Sequence, residues 1–389
     1  MKIAFFAWES LHTVPVGGVA VHVTELAAAL NRRGHEVHVF ARLGQGQTTF
    51  ERIDDVYYHR CPIQLDGDFV VEMNNMCNAF VYFMRQAEAY QGGHFDIVHG
   101  HDWLCSKAVV QAKNDHGHRA VLTFHSTEYG RNGNRMLNGR CARIHAVEAE
   151  GGYVADRVIG VSPAMCDEVR WLYHVPDHKL RMVYNGVSCA RFDGYIDAGA
   201  CRARYGIGPL DPMVLFVGRL STQKGPDLLL EAVPGILAHR GDAKIVFAGD
   251  GDMRGQLEQR AHQLGVNHAV RFLGAMGANG ALVDLFKSTD LLCVPSRNEP
   301  FGVVVLEAWA AGKPVVATQN GGPRHFVEHG TNGFLVHDNP GSIGWGVRSI
   351  FANFEHARWM GERGRVKAAY GFSWDVIARQ TEGIYQELL

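Results

Sequence analysis

Apolar positions are distributed along this chain in two alternating ways. Short unbroken apolar runs are followed by longer stretches in which apolar residues recur at helical spacing, and the alternation continues from one end of the chain to the other. Unbroken runs suit strands buried on both faces, and the amphipathic stretches suit helices laid over them. The pattern predicts strands over 2–8, 36–41, 56–60, 96–99, 120–124, 157–161 and 180–187 in a first half. Helices are expected between them over 19–33, 71–90, 104–116 and 140–153, and a further one opens at Ser162-Pro163. The order then restarts, with strands over 213–217, 244–248, 270–273, 291–294, 314–317 and 334–337. Its helices fall over 226–240, 253–264, 281–288, 303–311 and 343–369, the last with one break, and Ser373 N-caps a final amphipathic helix over 373–389.

This grammar implies an α/β chain of two doubly wound, mostly parallel halves with helices on both faces of each sheet. A length of 389 residues is also more than one core usually supports. Residues 191–211 hold four glycines and no sustained periodicity, so they read as the linker. The expected domains are 1–195 and 196–372, with helix 373–389 crossing back to the first and a ligand cleft between the two. The glycine- and asparagine-rich segment 129–139 reads as a mobile lid or acceptor loop.

Composition narrows the class. Apolar residues make up 47% and charged residues 20%, and the formal net charge is −2, which gives no electrostatic case for a nucleic-acid partner. Eight scattered cysteines without a CxxC pair read as free thiols of a reducing cytoplasm. The N-terminus reads as a first strand and not a secretion signal, and no apolar run is long enough to span a bilayer. Peripheral membrane contact is left open.

Candidate chemistry gathers where strands end. In an open α/β sheet, ligands sit outside the carboxyl ends of the strands, where the next helix offers unpaired N–H groups to anions. Gly17-Gly18 follows the first strand and either lets a phosphate approach or makes a tight turn. His99 and His101 lie two apart on a strand; a metal ligand at helical spacing is lacking beside them, so a pocket wall or a core role is favoured. His125 follows another strand and faces either a ligand or solvent. In the second half, Arg219 and Lys224 share the loop after the first strand, a forked guanidinium and a mobile ammonium suited to a diphosphate. Glu299 and Glu307 stand eight apart, one in a loop and one in the following helix, and vicinal sugar hydroxyls suit such carboxylates. The full dinucleotide fingerprint GxGxxG is absent from both domain starts, which argues against hydride transfer.

Taken together, Gly218-Arg219-Leu220 with Lys224-Gly225, Gly249-Asp250-Gly251, Asn298-Glu299-Pro300-Phe301-Gly302 with Glu307-Ala308, and Asn320-Gly321-Gly322 resemble the retaining family-4 glycosyltransferases of the GT-B fold. Gly17-Gly18 and Asn185-Gly186-Val187 match the same family, and Trp8-Glu9-Ser10, His99-Gly100-His101-Asp102-Trp103-Leu104 and Thr123-Phe124-His125-Ser126-Thr127-Glu128 resemble its glycogen-synthase-like branch. The resemblance covers nearly the whole chain. It implies two Rossmann-like domains facing across a cleft and no cofactor or metal, with a nucleotide-diphosphate sugar as substrate and a carbohydrate or other hydroxyl compound as acceptor. Under it, Arg219 and Lys224 clamp the diphosphate, Glu299 faces the donor sugar, and His125 lies near that sugar's outer hydroxyl. Glu307 takes the ribose, Phe301-Gly302 contributes backbone contacts, Gly17-Gly18 lines the diphosphate side, and Gly218, Asp250 and Val303 complete the donor-binding set. Glucose from UDP-glucose or ADP-glucose is the expected donor group, with GDP-mannose as the alternative. Relatives often carry an acidic residue where this chain reads Pro323-Arg324-His325, which bears on donor preference. Three rivals stand beside this reading: a metal-dependent GT-A site built on Asp66-Gly67-Asp68 or Asp250-Gly251-Asp252, a nucleotide-sugar epimerase, and a non-catalytic sensor.

Overall fold

The computed structural model describes residues 1–277 and 280–389. They form two compact units, Met1–Gly186 with Trp374–Leu389, and Val187–Ser373.

The first unit is built on strands β1 (Lys2–Phe6), β2 (Glu36–Arg42), β3 (Phe50–Ile53), β4 (Val56–Cys61), β5 (Ile97–His101), β6 (Arg119–Phe124), β7 (Arg157–Gly160) and β8 (Leu180–Met182). They form one sheet in the order β3-β4-β2-β1-β5-β6-β7-β8, parallel except for the β3–β4 hairpin. Helices α1 (Gly18–Arg32), α2 (Phe69–Gln91), α3 (Ser106–Asn114), α4 (Glu128–Arg131), α5 (Arg140–Val154) and α6 (Pro163–Tyr173) complete this part of the chain. Ser162 caps α6 through its side chain, and Asp68 caps α2. The interior of β1 is buried throughout, which explains its unbroken apolar text.

The second unit holds β9 (Met213–Val217), β10 (Lys244–Ala248), β11 (Val270–Gly274), β12 (Leu291–Val294), β13 (Val315–Thr318) and β14 (Gly333–Val336) in a wholly parallel sheet ordered β11-β10-β9-β12-β13-β14. Its helices are α7 (Ala198–Ala203), α8 (Pro226–Leu237), α9 (Arg254–Gln263), α10 (Gly280–Ser288), α11 (Val303–Ala310), α12 (Pro340–Ala352) and α13 (Phe354–Gly371). In both sheets the connections run one way from the first strand and then reverse. The reversal falls between β1 and β5 in the first unit and between β9 and β12 in the second, and a crevice opens at such a point.

The last helix, α14 (Trp374–Gln386), belongs to the first unit. Trp374, Ile377, Ala378 and Tyr385 join Phe5, Leu26 and Leu30 in its core, and burial of each large side chain contributes about 1.5–3 kcal/mol. Trp374 lies so close to Gly186 that a Cβ there would come within 2.6 Å of the indole, which accounts for the glycine of Asn185-Gly186-Val187.

Three regions differ from the sequence reading. Residues 45–68 carry two strands and not one: β3 is an exposed edge joined to β4 by Asp54-Asp55, both in the left-handed region as a type I′ turn requires. The strand expected over 180–187 ends at Met182. Residues 187–195, expected in the first half, pack in the second unit, where the 3-10 turn Cys189–Phe192 lies against α10, α11 and α13. The expected linker also contains α7. All eight cysteines are free, and among the described residues no helix is long and apolar enough to cross a membrane.

Candidate active site

In the second unit the loops after β9, β10, β12 and β13 are joined backbone to backbone. Glu299 N–H donates to Asn320 O at 2.9 Å, and Glu299 O accepts from Gly322 N–H at 2.7 Å. A Cβ at Gly321, where φ is +108°, would lie 2.0 Å from Glu299 O, and one at Gly249 would lie 1.8 Å from Gly218 O. The glycines of these motifs therefore allow loops to touch. Arg297 ties the β9 and β12 loops together: its N–H donates to Gln223 O at 2.9 Å, and its guanidinium forks onto Asp227 at 2.6 and 2.9 Å.

That scaffold brings Lys224 onto Glu299. Lys224 Nζ donates to both Glu299 oxygens, at 2.8 and 2.9 Å, and Ser296 Oγ donates to Oε2 at 2.8 Å. Glu299 is 4% exposed. The pair stands where the strand order reverses, with the exposed Arg219 in the same loop as Lys224. Among the described residues Arg219 makes no ion pair, whereas both Glu299 oxygens are engaged by protein donors. Gly302, with φ +95°, precedes Val303 at the start of α11, and no side chain caps that helix. Val305 N–H bonds back to Gly302 O at 2.9 Å, so the N–H groups of Val303 and Val304 are the ones left for solvent or ligand. Glu307 lies half-buried in the second turn of α11; burial pushes its carboxyl up to about 7, and the nearby Arg191 opposes the shift. Asp250 is exposed and held by Arg254 at 3.2 Å. Arg324 and His325 are also exposed, the Arg324 Nε donating to His325 Nε2 at 3.1 Å.

The first unit has its own set at the carboxyl edge. Asp102 Oδ1 accepts from the N–H groups of His125 at 2.7 Å and Ser126 at 3.2 Å, so a carboxylate on one strand end orients the loop after the next. Asp102 adopts φ 60°, ψ 175°, a strained conformation for a residue with a side chain. Burial raises its carboxyl to about 6 and lowers the His125 imidazole to about 3, so His125 is neutral at pH 7. The start of the expected mobile loop is pinned: Arg131 donates to Ser126 Oγ at 2.7 Å, Glu148 at 2.6 Å and Glu128 at 3.1 Å. His99 is a satisfied core residue, bonded to Tyr385 and Thr123, each at 2.7 Å. His101 instead contacts His125, and His22 from α1 converges on both.

Neither Gly17 nor Gly18 is required by backbone or packing. Neither φ is positive, a Cβ at Gly17 would make only an ordinary 3.7 Å contact with Glu9, and one at Gly18 would meet nothing. The Glu9 carboxylate accepts from Val16 N–H at 2.7 Å and Gly17 N–H at 2.6 Å, which shapes the loop ahead of α1.

Asp68 is occupied as the α2 cap and in a pair with Arg143. Neither Asp-x-Asp string joins a converging group of three ligating side chains among the described residues. His22 and Arg191 carry no signal of their own in the sequence, and Glu9 and Asp102 are marked there only as members of motifs.

Two doubly wound, mostly parallel sheets, each with ligand-type side chains at its carboxyl edge, fit the GT-B fold, and the comparison with solved structures shows it. The chain superposes on sucrose-phosphate synthase from Thermosynechococcus elongatus with a TM-score of 0.81 and 23% identity, over 100% of this chain and 98% of the other. It matches the family model Glycosyltransferase Family 4 over residues 16–191 and Glycosyl transferases group 1 over residues 200–367. An uncharacterized glycosyltransferase of Methanocaldococcus jannaschii is 35% identical, covering 99% of this chain and 98% of its own. D-inositol 3-phosphate glycosyltransferase of Actinosynnema mirum is 32% identical, over 96% and 94%. Glycogen synthase of Mycobacterium tuberculosis is 28% identical, over 99% and 94%. The chain belongs to this glycosyltransferase family. Its GT-B fold removes the GT-A rival.

Proposed function

We propose that the protein is a metal-independent, retaining hexosyltransferase that moves a sugar, glucose by preference, from a nucleotide-diphosphate donor to a hydroxyl acceptor. The observation that carries this reading is the Lys224–Glu299 pair at the reversal point of the second sheet, with Arg219, which makes no ion pair among the described residues, in the same loop as Lys224. When a glycosidic bond breaks toward an oxocarbenium-like transition state, negative charge grows on the departing diphosphate. Preorganised cations lower that barrier without a metal. Two of the three Lys224 donor directions are spent on Glu299, which aims the ammonium and leaves one for a phosphate oxygen. Arg219 supplies the fork.

Glu299 is the carboxylate assigned to the donor sugar, and its engagement by Lys224 and Ser296 supports a positioning role over a nucleophilic one. The acceptor then attacks from the face the phosphate leaves, and the departing oxygen takes the acceptor's proton. Glu307 holds the ribose hydroxyls, and the neutral His125 bonds a sugar hydroxyl. Two glycines at 17 and 18 that the fold itself does not require support close approach of a phosphate. The glycogen synthase relative supports a glucosyl donor. A second reading, transfer to a small phosphorylated polyol, draws on the inositol-phosphate enzyme among the relatives. Incubation with UDP-, ADP- and GDP-sugars and a panel of glucan and polyol acceptors, in chelator, with product anomers assigned by NMR, tests the proposal. Retained configuration and chelator-resistant turnover are expected; an inverted product removes the same-face mechanism.

A further inference from the structure

The first unit contains a cluster that sugar transfer does not explain. His22 comes from α1, His101 from the end of β5 and His125 from the loop after β6, and each presents a ligand-capable nitrogen within 4.8 Å of the other two. We propose that His22, His101 and His125 form a binding site for a divalent transition ion of the Zn²⁺ class.

The spacing supports this first. His101 Nδ1 and His125 Nε2 stand 3.3 Å apart, long for a hydrogen bond between rings. It matches the separation, about 3.3 Å, of two nitrogens sharing a tetrahedral ion with bonds of about 2.0–2.1 Å. The third ring, His22, presents a nitrogen within 4.8 Å of both. His22 is 6% exposed, and neither of its nitrogens meets a protein group at full hydrogen-bond geometry, although the Asn185 side chain engages the ring from one side. Buried polar atoms are rarely left so, since each costs about 1–3 kcal/mol, and a His22 nitrogen facing the other two rings is open to a ligand; His101 Nε2 lies on the far side of its ring from the Nδ1 that faces His125 and is not part of that set.

The surroundings fit as well. Phe5 and Trp374 pack edge-on against His101 and His22, giving an apolar wall. Asp102 holds the backbone of His125, the kind of support that fixes a ligand's approach. Asn185 lies beside His22 with its own side-chain oxygen unpaired, an available outer partner. A second three-residue group, Glu88, His94 and His118, makes the contrast. There both rings already bond the same carboxylate oxygen, at 3.0 and 2.8 Å, and the group is complete without an ion. An ion on His125 would withhold that ring from a sugar hydroxyl and so act as a brake. That consequence rests on the proposed function; the binding does not.

The test uses full-length, untagged, metal-stripped protein, titrated with Co²⁺ by visible absorption and with Zn²⁺ by calorimetry. One ion per chain is expected, with the visible band of four-coordinate Co²⁺ displaced by Zn²⁺. His22→Phe and His22→Gln, each checked for native circular dichroism, should lose affinity by about a hundredfold or more, whereas His94→Ala should bind as the parent does. Absence of the band in the parent overturns the proposal. So does full binding by both folded His22 variants, or loss of binding in His94→Ala. None of these readouts depends on turnover, so a failed site and a failed transferase reading remain distinguishable.

Discussion

Replacing Lys224 by Met tests how the Lys224–Glu299 pair holds the site. In the parent, Glu299 is 4% exposed and accepts two bonds from Lys224 and one from Ser296. Without the ammonium the carboxylate keeps a single side-chain donor. Breaking a fully buried pair costs about 3–5 kcal/mol, but the Lys224 side chain is 28% exposed and water can reach the gap. The expected loss is therefore smaller, about 1–3 kcal/mol. Glu299→Gln removes the charge that makes the gap costly, so Lys224→Met/Glu299→Gln should recover about 1–2 kcal/mol relative to the sum of the single changes. Urea titration of the four proteins gives the stability cycle, and turnover is read on the same samples. Stability should return in the double variant while turnover does not, because the clamp on the leaving group is still missing. Single changes that add within about 0.5 kcal/mol would refute the pairing argument.

Gly321→Ala should destabilise by about 2 kcal/mol or more, since the new Cβ meets Glu299 O at 2.0 Å in a left-handed conformation, while Gly18→Ala should fold as well as the parent or better yet turn over slowly. Comparison of melting and turnover for the two variants checks this, and the opposite assignment of damage would contradict it. The raised Glu307 carboxyl means the folded state binds a proton that the unfolded state releases earlier, so its contribution is present below pH 4.5 and is lost as pH rises through about 7. Glu307→Gln should thus gain up to about 3 kcal/mol at pH 8 relative to pH 4.5, and urea midpoints that shift equally at both pH values would rule this out. Burial lowers His38 to about 4 and His59 to about 3, so below pH 6.5 the unfolded chain takes up protons that the folded one refuses. Replacing His59 by Gln should remove about 1.4 kcal/mol of acid lability per pH unit below 6.5, and parallel stability curves for variant and parent would be the contrary result.

Strand positions were legible because both sheets bury their strands on two faces, and such strands leave unbroken apolar text, as in β1 and β9. The exposed edge strand β3 leaves none, because Phe50, Glu51 and Arg52 all face solvent. The candidate site was legible at the level of loops. Arg219, Lys224 and Glu299 fall where a doubly wound sheet puts ligands. What each side chain touches was not legible: Lys224 and Glu299 are 75 positions apart, and their contact is set by loop-to-loop packing through Gly321 and Arg297. His22 reads as one polar position on an amphipathic helix, and only the docking of α1 on the sheet turns it toward His101 and His125. The motif glycines divide in the same way. Gly321 and Gly249 serve the fold, where a Cβ would strike a neighbouring loop, and Gly17 and Gly18 do not.

The most direct test of the central claim is calorimetric titration of the parent and of Arg219→Ala and Lys224→Met with UDP-glucose, ADP-glucose and GDP-mannose, followed by assay of sugar transfer. One nucleotide sugar should bind the parent, both variants should lose about 1.4 kcal/mol or more of binding free energy for it, tenfold in affinity, and transfer should fall further still. Equal binding and equal transfer by the parent and both variants would contradict that claim.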